Sequence, residues 1–70
     1  MKENRLTSRE IEVMNLLIFG NSNPTISKKL CISIHTTKAH ISSIYEKLGV
    51  SNRVQAAVKY LKENLQKTSE

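Results

Sequence analysis

The amino-acid sequence predicts an all-α fold, a compact bundle of four helices. Seventy residues make one domain, near the lower limit at which a hydrophobic core can offset chain entropy without disulfides or metal. An apolar fraction of 39% with only three aromatic residues suits a small helical bundle whose core is built from Ile, Leu and Val. Apolar residues recur at helical spacing between clear start and stop signals. We expect a single domain over 1–70 with an ordered core at about 6–65.

The first helix is predicted over residues 8–19. Thr7 and Glu10 have the spacing of a capping box, in which each side chain accepts a hydrogen bond from the other residue's backbone N–H. Gly20 is placed to end the helix in the left-handed conformation that a Cβ atom disfavours.

The second and third helices follow after short connections. Asn23 is the expected N-cap of a helix over 24–30. Pro24 suits the first helical position, because an N–H group there would have no hydrogen-bond partner within the helix. Ser33 is the expected N-cap of a third helix over 34–48.

The third helix is amphipathic when placed on a helical wheel. Its inner stripe is predicted to contain Ile34, Thr37, Ile41, Ile44, Tyr45 and Leu48. Its outer arc contains His35, Lys38, Ala39, Ser42, Ser43 and Glu46. The residues in the middle of the outer arc have small side chains, which permit close approach of another surface. A helix face that only contacts solvent usually carries long Lys and Glu side chains. Both interpretations of this face stay open on the pattern alone.

A fourth helix is predicted over residues 52–65, after Gly49 closes the third. It carries two apolar stripes. One contains Ala56, Ala57 and Tyr60, and the other contains Val54, Val58, Leu61 and Leu65. The second stripe is either a surface for self-association or part of one wide face toward the core.

The charge of the chain favours a polyanionic partner. The formal net charge is +5, and the isoelectric point is about 9.7. Nucleic acid and an anionic membrane surface both fit that charge. No run approaches the roughly 18 apolar residues of a membrane span, and the N-terminus lacks the apolar region of a signal peptide. We expect a cytoplasmic protein, and the lone Cys31 fits a reducing compartment.

Catalysis, metal binding and cofactor binding find little support. Cys31, His35 and His40 are the only soft metal ligands, and they do not make a closed zinc site because the two histidines lie about 140° apart around a helix. The sequence has no glycine-rich phosphate loop and no nucleophile with a base and an orienting group. We expect neither an enzyme nor a cofactor.

A short helix, a turn of about four residues and a longer helix together form the helix-turn-helix pattern. The longer helix, with the sequence "SIHTTKAHISSIYEKLG", is the one whose polar first turns could enter the major groove of DNA. Contact with DNA would explain why the first turns of this helix are polar.

Several landmarks in order resemble the DNA-binding domain of the LuxR/FixJ type, the GerE-like family. They are "LTSRE" at 6–10, Gly20 with Ser22 and Asn23, Ile26, Ser33, "TTKAH" at 36–40, "KLGV" at 47–50 and "NRVQA" at 52–56. The resemblance covers about residues 6–65.

This resemblance implies a bacterial transcriptional regulator that binds specific double-stranded DNA as a homodimer. Lys38, Ala39 and Ser42 correspond to base-contacting positions. Thr36, Thr37 and His40 lie at or beside positions that meet phosphate. Val54, Val58 and Leu61 correspond to the dimer surface. Glu10 and Arg53 are landmark acidic and basic positions, and we expect them to form an ion pair between the first and fourth helices.

The sequence also departs from the family pattern. The second helix commonly has an acidic residue and an alanine around the position of Ile26, where this chain has Pro24, Thr25 and Ser27. Thr37 replaces the usual inward valine, so its hydroxyl needs a partner such as a carbonyl one turn back or a phosphate.

Two other classes of function remain open. The domain could be a protein-interaction module that binds another regulator, with only weak non-specific affinity for DNA. Binding to an anionic membrane predicts bulky apolar residues at the edge of a basic helix, and the third helix has only Tyr45, on its inner side. RNA polymerase or another regulator is a candidate protein partner. The termini slightly favour a freestanding regulator over a domain of a longer chain.

Overall fold

The computed structural model describes the backbone of residues 5–68 and the side chains of residues 5–64. Within that part of the chain it contains four helices and no strand, which confirms the predicted all-α fold. Their bounds are α1 Ser8–Ile18, α2 Asn23–Leu30, α3 Ile34–Leu48 and α4 Arg53–Thr68. The predicted bounds agree within one residue except at the end of α4, which continues three residues beyond the predicted end.

The start of α1 is the predicted capping box. The Thr7 hydroxyl accepts a hydrogen bond from the Glu10 backbone N–H at 3.1 Å, and Glu10 Oε1 accepts one from the Thr7 N–H at 2.9 Å. Two N–H groups that the helix cannot satisfy internally are therefore paired. Gly20 follows the helix with φ +91°, as predicted.

The N-cap of α2 is Ser22, and the prediction of Asn23 was wrong by one residue. Ser22 has an extended backbone, and its hydroxyl accepts a hydrogen bond from the Thr25 N–H at 3.4 Å. Asn23 is already helical, which places Pro24 second in the helix. Pro24 fits there as well, because none of the first four N–H groups has a partner inside the helix.

The turn between α2 and α3 depends on a residue in an unusual conformation. Cys31 ends α2 with φ +58°, in the left-handed region that side chains with a Cβ rarely occupy. The Ile32 N–H then donates to the Ser27 carbonyl at 3.0 Å. Ser33 caps α3 as predicted, since its hydroxyl accepts from the Thr36 N–H at 3.0 Å. Gly49, also left-handed, ends α3.

The hydrophobic core lies between the helices, with α3 in contact with each of the other three. Its buried apolar residues are Val13, Met14, Leu17, Ile26, Ile41, Ile44, Leu48 and Ala56. Tyr45 and Tyr60 pack against this cluster. The inner stripe of α3 was therefore predicted correctly except for Ile34, which is 44% exposed because it begins the helix, beyond the turns that the core covers.

The two stripes of α4 have different environments. Ala56 is fully buried, whereas Val54, Val58 and Leu61 are 70%, 55% and 46% exposed. The interpretation as one wide core-facing stripe was wrong, because the small domain has only one neighbouring layer against which α4 can pack. The side chain of Leu65, the fourth predicted member, lies outside the described residues.

Candidate nucleic-acid interface

The outer face of α3 is exposed along its length. His35, Lys38, Ala39, Ser42 and Glu46 are all exposed. Within this set, the middle of the face has only the small side chains Ala39 and Ser42. Glu46 is the one acidic residue in the set, and it lies about two turns after Lys38, toward the end of the helix. A surface with negative charge can therefore approach the first three turns closely.

One flank of this face opens into a groove. Lys38 and Ser42 of α3 line it together with Arg53, the first residue of α4. The start of α2 forms the far side through Ser22 and Asn23. Two cationic side chains and the polar start of a helix thus border the outer face of α3, and such groups are the ones that hold phosphate.

The other flank contains two of the residues predicted to meet phosphate. Thr36 and His40 are both partly exposed. The Thr36 hydroxyl accepts a hydrogen bond from the Ser33 hydroxyl at 2.9 Å, so the cap also orients this side chain. Their exposure leaves both residues accessible to a ligand lying along α3.

Neither a metal-binding cluster nor a membrane-spanning helix is found among the described residues. No group of three or more His, Cys, Asp or Glu residues is placed to hold a metal ion. No helix there combines the length and apolar character needed to cross a bilayer.

Comparison with known proteins gives the family. The family model for bacterial regulatory proteins of the luxR family, GerE, matches residues 4–60. The chain belongs to the luxR family. It is 49% identical over 53 residues to the transcriptional regulatory protein LiaR of Bacillus subtilis, covering 76% of this chain and 25% of that protein. It is 40% identical over 60 residues to the probable transcriptional regulatory protein NarL of Mycobacterium tuberculosis, covering 86% of this chain and 28% of that protein.

These matches confirm the predicted resemblance and the predicted class of function, a helix-turn-helix domain of transcriptional regulators. The family is one of regulatory proteins and not a class of enzymes. The luxR-family domain described here spans about a quarter of the length of the curated relatives it matches.

The luxR-family domain has a buried hydroxyl pair between α2 and α3. Thr37 is fully buried, and its hydroxyl lies 2.6 Å from that of Ser27. Ser27 donates its own proton to the Asn23 carbonyl at 2.8 Å. Because a serine has one hydroxyl proton, Thr37 must be the donor to Ser27. The prediction that Thr37 contacts phosphate was therefore wrong, since its hydroxyl has a partner inside the protein.

The predicted ion pair between Glu10 and Arg53 was also wrong. Glu10 Oε1 accepts from Lys47 Nζ at 2.8 Å, and its Oε2 accepts from the Ser43 hydroxyl at 2.7 Å. Arg53 instead donates to the Asn21 carbonyl, in the connection between α1 and α2. Glu10 lies in the first turn of α1, beside the end of α3, whereas Arg53 begins α4 and lies beside the connection that follows α1.

The environment of Glu10 changes the acidity of its carboxyl group. Burial alone would raise the pKa of this group. The hydrogen bonds from Lys47, Ser43 and the Thr7 N–H, together with the charge of Lys47, lower the pKa from 4.5 to about 2. Glu10 is therefore a buried carboxylate whose charge is compensated, and it joins the start of α1 to α3.

The sequence contains a signal for these partners. Ser43 and Lys47 are four residues apart, so they lie on one side of α3, away from its apolar stripe. A second hydrogen bond from Lys47, to the Arg5 carbonyl at 3.3 Å, joins the segment before α1 to the same cluster. Both side chains were predicted to face solvent, because the wheel of one helix does not show which neighbour lies beside it.

Proposed function

We propose that this domain binds specific double-stranded DNA in transcriptional regulation, with α3 in the major groove. The observation that supports this proposal is the exposed outer face of α3. The side chains at its centre are small, and the groove that Lys38 and Arg53 line borders one flank. An α-helix fits the major groove, and residues near its first turns reach the base edges. Because the DNA of a bacterium lies in the cytoplasm, this function also places the protein there.

The proposed contacts divide into two groups. Lys38, Ala39 and Ser42 face the bases, with Lys38 suited to guanine O6 and N7 and the Ala39 methyl suited to the methyl group of thymine. Thr36 and His40 meet the phosphate backbone on the other flank. The first group supplies sequence preference, and the second supplies affinity and register.

The exposed apolar stripe of α4 is the proposed dimer surface. Val54, Val58 and Leu61 recur at helical spacing on one side of α4, and each is about half exposed or more. Pairing two such stripes buries them and relates the two α3 helices by a two-fold axis, so the DNA site is an imperfect inverted repeat. RNA polymerase or another regulator is the proposed protein partner of the DNA-bound dimer.

Selection from a randomised duplex pool tests the proposed function. We expect a symmetric motif to be enriched, and the enriched duplex to bind on the order of a thousandfold tighter than a scrambled one. Both duplexes are then titrated across salt concentrations. If no motif is enriched and both duplexes show the same steep salt dependence, the domain senses only charge. The protein-interaction module then becomes the better explanation.

Lys38→Ala separates base contact from phosphate contact. We expect a loss of about 1–3 kcal/mol on the selected duplex and a relaxed preference at one position, because the variant loses a donor to a base. An equal loss on the selected and scrambled duplexes would instead assign Lys38 to phosphate.

Val58→Asp tests the dimer surface. We expect it to abolish cooperative binding to the inverted repeat, because pairing the stripes would bury two carboxylates, while the melting temperature stays within a few degrees of wild type. Lys59→Gln is the control, since it changes the net charge equally at an exposed position of the same helix outside the stripe. An unfolded Val58→Asp variant would assign the stripe to the core.

A further inference from the structure

We propose that His35 reads a base in the major groove, as a donor to guanine N7 or O6. This inference rests on the proposed function, since it adds a specificity-determining residue to the same DNA-binding face. His35 is the second residue of α3 and is exposed. It lies one turn before Ala39 and two turns before Ser42, on the same side of the helix.

The side chains on the outer face of α3 differ in how far they extend from the helix. The Ala39 methyl cannot form a hydrogen bond, and the Ser42 hydroxyl lies only one bond beyond Cβ. Glu46 carries a charge that the phosphates repel. Among the exposed residues of the outer face of α3, His35 and Lys38 are therefore the hydrogen-bond donors whose side chains extend furthest toward the acceptors on guanine.

The position of His35 favours base contact over a purely solvated role. The N-terminal residues of a recognition helix are the ones that contact base edges in the major groove. Small side chains at 39 and 42 let the helix approach, which carries the side chain of His35 toward the base edges. Within residues 5–64 the imidazole has no hydrogen-bond partner, so no internal contact holds it away from DNA.

The two histidines of α3 lie on different sides of the helix, so substituting each one in turn gives a matched comparison. His40 is five residues further on, about 140° around the helix, and is partly buried on the other flank. An imidazole carries at least one N–H in either charge state, so both residues can donate. Only His35 lies on the face that the proposed function directs at the bases.

The test repeats the duplex selection with the wild-type domain, His35→Ala and His40→Ala. We expect His35→Ala to lose the preference for guanine at one position in each half-site and to keep the rest of the motif. His40→Ala should retain the whole motif and bind all duplexes more weakly. Thermal melting followed by circular dichroism checks the fold of both variants, which we expect to stay folded because neither side chain belongs to the core.

A change of one atom in the DNA then identifies the contact. Replacing that guanine by 7-deazaguanine removes the N7 acceptor, and we expect wild type to lose about tenfold in affinity while His35→Ala loses nothing further. If wild type tolerates 7-deazaguanine, the same comparison with inosine and 2-aminopurine tests O6, because only inosine retains that acceptor.

The outcomes separate this inference from the proposed function. A wild-type domain that enriches no motif overturns both. A wild-type motif that His35→Ala leaves unchanged overturns the role of His35 alone. An equal loss of affinity on the selected and scrambled duplexes also overturns it, because that result marks a phosphate contact.

Discussion

The two sides of α3 are held by different kinds of polar contact. On the side of α1, Glu10 accepts hydrogen bonds from Ser43 and Lys47 and carries a compensated charge. On the side of α2, Ser27 and Thr37 share an uncharged hydrogen bond that is fully enclosed. Helix α3 is therefore positioned by one contact that depends on pH and by another that does not. Removing each contact separately shows how much stability each provides.

The largest effect is expected from Glu10→Ala. This change removes half of the capping box and leaves Ser43 and the partly buried Lys47 ammonium without their acceptor. We expect a loss of about 3 kcal/mol in the free energy of unfolding, measured by urea denaturation at pH 7.

Glu12→Ala is the control for Glu10→Ala. Glu12 belongs to the same helix, but its ion pair with Arg9 is about half exposed, and such pairs contribute little. We expect a change within about 0.5 kcal/mol. Equal losses in the two variants would mean that the cluster around Glu10 adds nothing beyond an exposed charge.

Acid titration should distinguish the two sides. A carboxyl group whose pKa is lowered on folding stabilises the protein above its unfolded pKa, and the stabilisation is lost as the pH falls through the folded value. For Glu10 this window runs from 4.5 to about 2, and the shift corresponds to about 3 kcal/mol.

We expect the free energy of unfolding of wild type to fall over this window more steeply than that of Glu10→Gln. Ser27→Ala should instead give a curve parallel to wild type, since neither hydroxyl titrates there. Parallel curves for wild type and Glu10→Gln would contradict the lowered pKa.

A smaller effect is expected on the side of α2. Ser27→Ala leaves the buried Thr37 hydroxyl without its acceptor, and we expect a loss of about 1–2 kcal/mol. Thr37→Val should cost less, about 1 kcal/mol or under, because Ser27 keeps its hydrogen bond to the Asn23 carbonyl.

The double variant Ser27→Ala/Thr37→Val should be more stable than the sum of the single changes predicts, because replacing both partners leaves no unpaired donor. Ser42→Ala, at an exposed serine of α3, is the control for a change of composition alone. Strict additivity would contradict a stabilising hydrogen bond between the two hydroxyls.

Features within one helix and contacts between helices differ in how well the sequence predicts them. Helix boundaries other than the end of α4 were predicted within one residue because their signals are local: Thr7, Ser33 and Gly49 act on backbone groups within a few residues of themselves. The exposed second stripe of α4 was recognised as a candidate surface for the same reason, since periodicity belongs to one helix.

Contacts between helices were predicted less well, because they depend on which ends of two helices meet. The sequence marks Glu10 and Arg53 as residues that need partners, but the partners are Lys47 and the Asn21 carbonyl. The requirement that the Thr37 hydroxyl be paired was correct, whereas its partner lies ten residues back, on α2. Periodicity specifies the buried side of each helix and leaves the axial position of its neighbours undetermined.

The turn between α2 and α3 has a practical consequence for spectroscopy. Cys31 is the single cysteine of the chain, is exposed, and immediately precedes the segment that starts α3. A thiol-reactive fluorophore would therefore label one site, four residues before His35, with no need for engineered cysteines. Because Cys31 occupies a conformation that glycine adopts freely, Cys31→Gly would also give a label-free reference that keeps the turn. A dye there would report the arrival of DNA at the first turn of α3 in real time.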